Sequence, residues 1–256
     1  MRIAVISDIH GNATALRQVL EDIDSCGADT IICLGDTIGY GPEPEAAITM
    51  LRQRNIASIK GNHELAVNNP GFLEWFNPAA RLSLEKTINT ISPANQEYMT
   101  RLPHYITAFG CRFVHGFPPD SPTTYMFEVS AEETEKIMAE MSEPICFIGH
   151  THELAIIVYY APPVDQNASD ALFREKSIDT IIPDGKKIRF LDPKRKHIIN
   201  VGSVGQPRDG TSDAKYVIFD NEAWRLEIRH VPYDVNDTIK KIHAAGLPRQ
   251  HALRLS

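Results

Sequence analysis

Five short apolar runs in this chain each break off at residues of the same few kinds, and that recurrence limits its possible folds more than anything else. "RIAVIS" leads to Asp8 and His10, "TIICLG" to Asp36, and "IASIKG" to Asn62 and His63. "CRFV" leads to His115, and "ICFIG" to His150 and His152. Near-continuous apolar runs of this length are strands with both faces of their sheet covered. Helical patterns separate the first three. "TALRQVLEDIDSCG" sets Leu16, Val19, Leu20 and Ile23 on one face with Gly27 as C-cap, and "EPEAAITMLRQRN" follows the second strand. Strand–helix alternation with short connections predicts parallel pairing and right-handed crossovers. In an open parallel sheet the strand C-termini converge on one edge. The reading therefore gathers these polar residues on a single rim.

The rest of the chain is organised around that frame. From 68 to 103 the pattern turns polar and helical over a length no simple connection needs, which predicts a helical insertion. Strands are expected at "CRFVHG" and "PICFIGH", with a short acidic helix over 132–141 between them. "LAIIVYY" and "KKIRFL" read as the arms of a β-rich segment, and 161–180 between them as partly loop. "KYVIFDNEAWRLEIRHV" reads as two strands around a turn at Asp220 and Asn221, and "VNDTIKKIHAAG" as a helix closed by Gly246. No repeat or linker marks a boundary, so one domain over 1–256 is expected.

Composition excludes several functions. The formal charge is −7 and no dense basic cluster occurs. The most basic stretch, "DGKKIRFLDPKRKH" over 184–197, reads as a solvated hairpin, which argues against a nucleic-acid partner. No apolar run approaches the ~20 residues of a membrane helix. The first strand is interrupted by Asp8 and His10 and no cleavage site follows, so no membrane and a cytoplasmic location are expected. Cys26, Cys33, Cys111 and Cys146 form no CxxC pair. The last three lie in strand-like runs, where a free thiol behaves as a small core residue.

The residue types at the strand ends point to metal. Oxygen donors with several imidazoles and no thiolate suit Mn, Fe, Zn, Co or Ni and fit Ca poorly. Asp8, His10, Asp36, Asn62, His115, His150 and His152 are too many for one octahedral ion that also keeps a water, and they suit two ions sharing a bridging carboxylate. Two carboxylates against two divalent cations leave about two net positive charges, which favours an anionic substrate and a bridging hydroxide. Paired ions ~3.5–4 Å apart are a common clamp for phosphoryl transfer. Any one fragment alone is more often a loop; the set carries the inference.

The ordered motifs "DIHG", "GDTIGYGP", "GNHE", "VHG" and "GHTH" resemble the calcineurin-like metallophosphoesterase family in its bacterial and archaeal single-domain branch. The likeness runs from residue 1 to about Gly210, and "NVGSVGQPRDG" over 200–210 belongs to it, as does the "YDV…AAGLP" tail. It implies an α/β fold, a β-sandwich flanked by helices (α/β/β/α) with a helical insertion after the third strand. It implies two divalent ions, Mn first among Mn, Fe, Zn and Ni. Asp8, His10 and His152 would hold one ion and Asn62, His115 and His150 the other, with Asp36 bridging. His63 would sit beside the leaving-group oxygen and Glu64, where many relatives have Asp, would orient that imidazole.

One departure narrows the reading. The Ser/Thr protein phosphatases of this superfamily carry Arg in "GDxxDRG", which "GDTIGYGP" replaces here. Arg208 in the Gly-rich loop is the candidate phosphate contact instead, with Asn12 as a second. Gly202 and Gly205 suit close backbone approach to the metals. Trp75, Phe76 and Tyr98 of the insertion are candidates to cover the metal edge. The expected function is hydrolysis of a small phosphate ester, a phosphodiester or nucleotide type ahead of a phosphomonoester or phosphoprotein, by metal-bound hydroxide. The alternatives are a non-catalytic metal-binding docking scaffold and, less well supported, a di-metal hydrolase of carbon esters or amides. A homodimer through the β-rich part or the insertion is carried as an expectation.

Overall fold

The computed structural model describes residues 1–161, 177–184 and 187–256. Part of the 161–180 stretch, and of the run "KKIRFL", lies outside these residues.

The chain opens β1 (Arg2–Ile6), α1 (Ala13–Cys26), β2 (Thr30–Cys33), α2 (Pro44–Gln53) and β3 (Ala57–Ser58). Asn12 caps α1, its Oδ1 accepting from the Ala15 N–H, and Gly27 closes it in the left-handed conformation. Three helices follow, α3 (Asn62–Leu65), α4 (Pro78–Thr90) and α5 (Pro93–Thr100), with a 3-10 turn at Pro70–Trp75. Then come β4 (Tyr105–Ala108), β5 (Cys111–Val114), α6 (Ala131–Glu140), β6 (Ile145–Ile148) and β7 (Leu154–Tyr159). The chain ends with β8 (Ile178–Ile181), β9 (Ile188–Phe190), β10 (Lys196–Val201), β11 (Ala214–Asp220), β12 (Arg225–Val231), α7 (Val235–Ala244) and α8 (Arg249–Leu253).

Two six-stranded sheets result, ordered β3-β2-β1-β11-β12-β9 and β4-β5-β6-β10-β7-β8. This is the β-sandwich flanked by helices that the resemblance implies, with each sheet mixed rather than parallel throughout. Parallel pairing is confined to β1–β2–β3 and to β5–β6–β10, and antiparallel strands complete each sheet. The period of two explains the layers. Ile3 and Val5 point inward to meet Phe113, Phe147 and Val201 of the other sheet. Ala4 and Ile6 point outward onto Leu16, Val19 and Leu20 of α1. Cys146 and Ile148 point the other way, onto Met138 of α6. The order of layers is therefore α/β/β/α, and the two parallel triplets abut across the sandwich with their C-terminal ends on one side. Cys33, Cys111 and Cys146 are free thiols packed in these apolar layers.

The insertion packs through Leu73, Leu84 and Met99 onto Ile38 and Ile48, beside the end of β2. The basic 184–197 stretch is not a hairpin, because β9 joins the first sheet beside β12 and β10 joins the second between β6 and β7. Strands β4 and β8 and helix α8 lie where the sequence pattern predicts no element. No helix among the described residues is long and apolar enough to cross a membrane.

Phe113 is fully buried and stacks on Phe147 with ring centroids 5.4 Å apart. Phe113→Ala should cost about 3–5 kcal/mol, the usual range for emptying such a site, read as a lower midpoint in urea unfolding.

Candidate metal centre

The loops after β1, β2 and β6 turn sharply enough to need left-handed backbone. Asp8, His10, Asp36, His150 and His152 have φ between +48° and +69°. A left-handed L-residue costs roughly 1–2 kcal/mol, and Asp and His are among the side chains that tolerate it best. The loops hold one another in place. His10 N–H donates to the Asp36 carbonyl at 2.8 Å and Gly11 N–H to the Thr37 carbonyl at 2.7 Å. His150 N–H donates to Asp8 Oδ2 at 3.0 Å and His63 N–H to Asp36 Oδ1 at 2.9 Å. Gly61 is required by proximity, since a Cβ there would stand 2.2 Å from Asp36 Oδ1.

Three groups of buried side chains result, each with ligand atoms within 4.8 Å of one another: Asp8, His10 and His152; His10, Asp36 and His63; and Asp36, His115 and His150. Asp36 belongs to two of them. Its Oδ2 stands 3.8 Å from His10 Nε2 and 3.3 Å from His115 Nε2. Asp8 Oδ1 is 3.3 Å from His152 Nε2 and has no hydrogen-bond partner among the described residues. Asn62 Oδ1 is likewise buried without a partner. All seven side chains named from the motifs converge on this one place.

The ring orientations say what the place suits. Four imidazoles each face a backbone carbonyl with one nitrogen: His10 Nδ1 with Ile38 at 3.0 Å, His115 Nδ1 with Leu34 at 2.9 Å, His150 Nε2 with Thr123 at 3.1 Å and His152 Nδ1 with Gln206 at 2.6 Å. A carbonyl only accepts, so each of those nitrogens carries the hydrogen and the other turns inward. His10 and His152 thus aim Nε2 at each other across 3.1 Å, beside the orphaned Asp8 oxygen. With neutral rings, two lone pairs and a carboxylate oxygen facing one point fit a cation and little else. The donor set, imidazole with carboxylate and carboxamide, fits a borderline divalent metal.

Above these groups lies a cavity of about 160 Å³, with His63, Tyr40, Phe76, Trp75, Tyr125 and Arg208 among the residues lining it. His63 is boxed by Tyr40 and Phe76, ring centroids 4.8 and 4.9 Å away. Tyr125 lies flat on His150 at 3.7 Å.

Residues 1–223 match the calcineurin-like phosphoesterase superfamily domain. The chain belongs to that superfamily. This calcineurin-like phosphoesterase is 33% identical over 258 residues to an uncharacterised protein of Methanocaldococcus jannaschii, across 99% of this chain and 96% of the relative. It is also 33% identical to a metallophosphoesterase from Sphaerobacter thermophilus of known crystal structure, with a TM-score of 0.79 over 100% of this chain and 98% of the other. A hypothetical protein from Pyrococcus horikoshii, 18% identical over 99% of this chain and 97% of its own, shares the fold with a TM-score of 0.75. The protein is a metal-dependent hydrolase of phosphate esters.

Four expectations for this phosphoesterase are corrected. Glu64 does not orient His63. Its carboxylate accepts from the N–H groups of Asp36, Thr37 and Gly61 at 2.8, 2.9 and 2.8 Å, while His63 Nδ1 has no partner among the described residues. Glu64 sits in the first turn of α3, where its side chain curls back to the loops before it and locks the ends of β2 and β3 together. Asn12 does not line the cavity. As the cap of α1 it accepts from Ala15, and its Nδ2 donates to the Gly205 carbonyl at 3.0 Å. Of the insertion aromatics, Trp75 and Phe76 line the cavity. Tyr98 instead packs beneath the Arg52 guanidinium, 5.2 Å from its ring. Gly205 approaches the "DIH" backbone rather than the cluster, since a Cβ there would stand 1.8 Å from the Ile9 carbonyl oxygen. Sequence reasoning passed over Tyr40, which lies within the quoted "GDTIGYGP", and Tyr125, which no motif marks.

Burial lowers the His63 imidazole to about 3 and the His150 imidazole to about 4, so both are neutral at neutral pH. Burial alone would raise the Asp8 carboxyl, but the His152 and His10 imidazoles overcome it and hold the group below the usual carboxylate range. His115 goes the other way. Burial opposes its charge, yet the Asp36 carboxylate prevails and raises it to about 9. A metal held by this group would need the His115 Nε2 lone pair, so its binding would displace that proton. At pH 7.5 metal loading should release about one proton from His115, seen by calorimetry in two buffers of different ionisation enthalpy, and affinity should climb with pH up to about 9. Separately, Glu64→Ala strips the acceptor from three buried N–H groups. It should lower stability by at least about 2–3 kcal/mol in urea unfolding, which loss of an imidazole-orienting carboxylate alone would not do.

Proposed function

We propose that this phosphoesterase binds two divalent ions and hydrolyses a small phosphodiester or nucleotide-type ester. The observation that supports this most strongly is that two sets of inward-facing imidazoles, His10 with His152 and His115 with His150, lie to either side of Asp36. In this reading Asp8, His10 and His152 hold one ion, Asn62, His115 and His150 hold the other, and Asp36, facing both groups, bridges them. Ions bound there would supply positive charge to the phosphoryl oxygens and lower the pKa of a coordinated water. Mn is the first choice on the family resemblance, and an oxygen-and-imidazole set without thiolate accommodates it beside Fe, Zn and Ni.

The chain's own residues supply the rest. Arg208 lines the cavity with its Nε buried and without a partner among the described residues, so its guanidinium suits a phosphoryl oxygen. His63 lines the same cavity beside Asp36, where its neutral ring hydrogen-bonds the leaving-group oxygen. With its pKa held near 3, it acts as a neutral donor until an anionic substrate raises it. Tyr40 and Phe76 exclude water from that ring and fix its plane. Glu64 acts through the loops it pins rather than on substrate. The missing "GDxxDRG" arginine favours a small ester over a phosphoprotein.

Metal-stripped protein titrated with manganese should regain hydrolysis of bis-p-nitrophenyl phosphate and p-nitrophenyl phosphate up to two equivalents, with the diester the better substrate. Tight binding of two equivalents with no turnover of either would favour a docking scaffold.

A further inference from the structure

The aromatic wall of the cavity is graded. Phe76 lies against His63 with centroids 4.9 Å apart, Phe72 lies 6.0 Å beyond Phe76, and Trp75 stacks on Phe72 at 5.7 Å with the rings within 9° of parallel. Tyr125, stacked on His150, also lines the cavity. Burial falls along the series: His63 is buried, Phe76 and Phe72 are half-buried, and Trp75 is 81% exposed while still lining the cavity. Phe72 covers one face of the indole and the other is open. A tryptophan recruited for packing alone would bury its ring in the insertion core, where Leu73 and Leu84 lie.

From this we propose that the open face of Trp75 is a platform for a nucleobase, held at the cavity mouth while the phosphate lies on the floor beside His63. The proposal rests on the phosphoester reading above and names the substrate class within it. The spacing argues for a base over a ring bonded directly to the ester oxygen. Such a ring would leave the phosphate beside His63 and so rest against Phe76 and Tyr125. Trp75 meets Phe72 rather than the Phe76 and His63 pair, so a base on it would stand off from the phosphate through a linking sugar. Stacking tolerates any base, because each presents a π-face. The platform therefore sets the class of substrate and not its sequence.

The test uses the manganese-loaded protein with AMP and ribose 5-phosphate, which differ only in the base. Base–aromatic stacking of about 1–3 kcal/mol corresponds to a preference of about 5- to 150-fold. The wild-type kcat/KM ratio of AMP to ribose 5-phosphate should fall in that range, expressed in KM. Trp75→Ala should bring it towards one, and Trp75→Phe should restore part of it. A direct readout comes from Trp224→Phe, which leaves Trp75 as the sole tryptophan of the two in the chain. AMP should quench its fluorescence at concentrations where ribose 5-phosphate does not. A wild-type ratio near one, or a ratio unmoved by Trp75→Ala, overturns the platform even if both esters are hydrolysed. Quenching by AMP with no turnover of any ester upholds the platform and removes the hydrolase reading instead.

Discussion

The bond on which the site depends is the one from an imidazole N–H to a backbone carbonyl. His10, His115, His150 and His152 each face Ile38, Leu34, Thr123 or Gln206 in this way. Each such bond fixes the ring plane and turns the other nitrogen inward, and in the neutral ring it fixes the tautomer as well. Two of the carbonyls, Leu34 and Ile38, lie on the segment that bears Asp36, and one of them serves His115 of the opposite sheet. The sandwich cannot shift one sheet relative to the other without turning that ring. Packing between Phe113, Phe147 and the Ile3–Val5 face is therefore also what holds the cluster in register.

The left-handed residues fit the same picture. Five of the seven candidate ligands stand at positive φ, a conformation that persists only where surrounding structure over-determines it. Here that structure is Glu64, which gathers three N–H groups from two loops, and the zipper between the loops after β1 and β2. Each loop leaves a strand at the edge of a tightly packed core, so strain at the rim is offset by burial behind it.

Much of this was legible in the sequence, for a physical reason. A strand covered on both faces leaves little choice but an apolar run, and a polar residue closing it stands out. That is why Asp8, Asp36, His115 and His150 could be named and why the structure gathers them. The two-sheet topology was not legible from periodicity, because "KYVIFD" reads the same whether it pairs parallel or antiparallel, and its position between β1 and β12 is set by contacts far apart in the chain. Side-chain destinations were harder still. "GNHE" sets Glu64 beside His63 in sequence, but the first turn of α3 sends the two side chains opposite ways. Asn12 carries the same type of oxygen whether it caps a helix or meets a substrate. Tyr125 left no signal, since a lone tyrosine in a loop has no period to betray it.

The loop over 202–211 positions both a candidate metal ligand, His152, and the candidate phosphate contact, Arg208. Ser203 Oγ donates to the Asp8 carbonyl at 2.8 Å, and the Gln206 carbonyl accepts from His152. Two residues further on stands Arg208, its own N–H donating to the His152 carbonyl at 3.3 Å. The loop is tied from behind by Lys215, which is fully buried and whose Nζ reaches Asp209 at 2.9 Å, Thr211 and the Asp213 carbonyl. A lysine without solvent stays charged only because those oxygens surround it, which makes the anchor expensive to break. The orientation of His152 and the position of Arg208 are thus set by one rigid turn. In the proposed reading a substrate that draws on both would meet a metal ligand and a phosphate contact whose spacing was fixed on folding, and the cost of arranging them would fall on the fold rather than on binding.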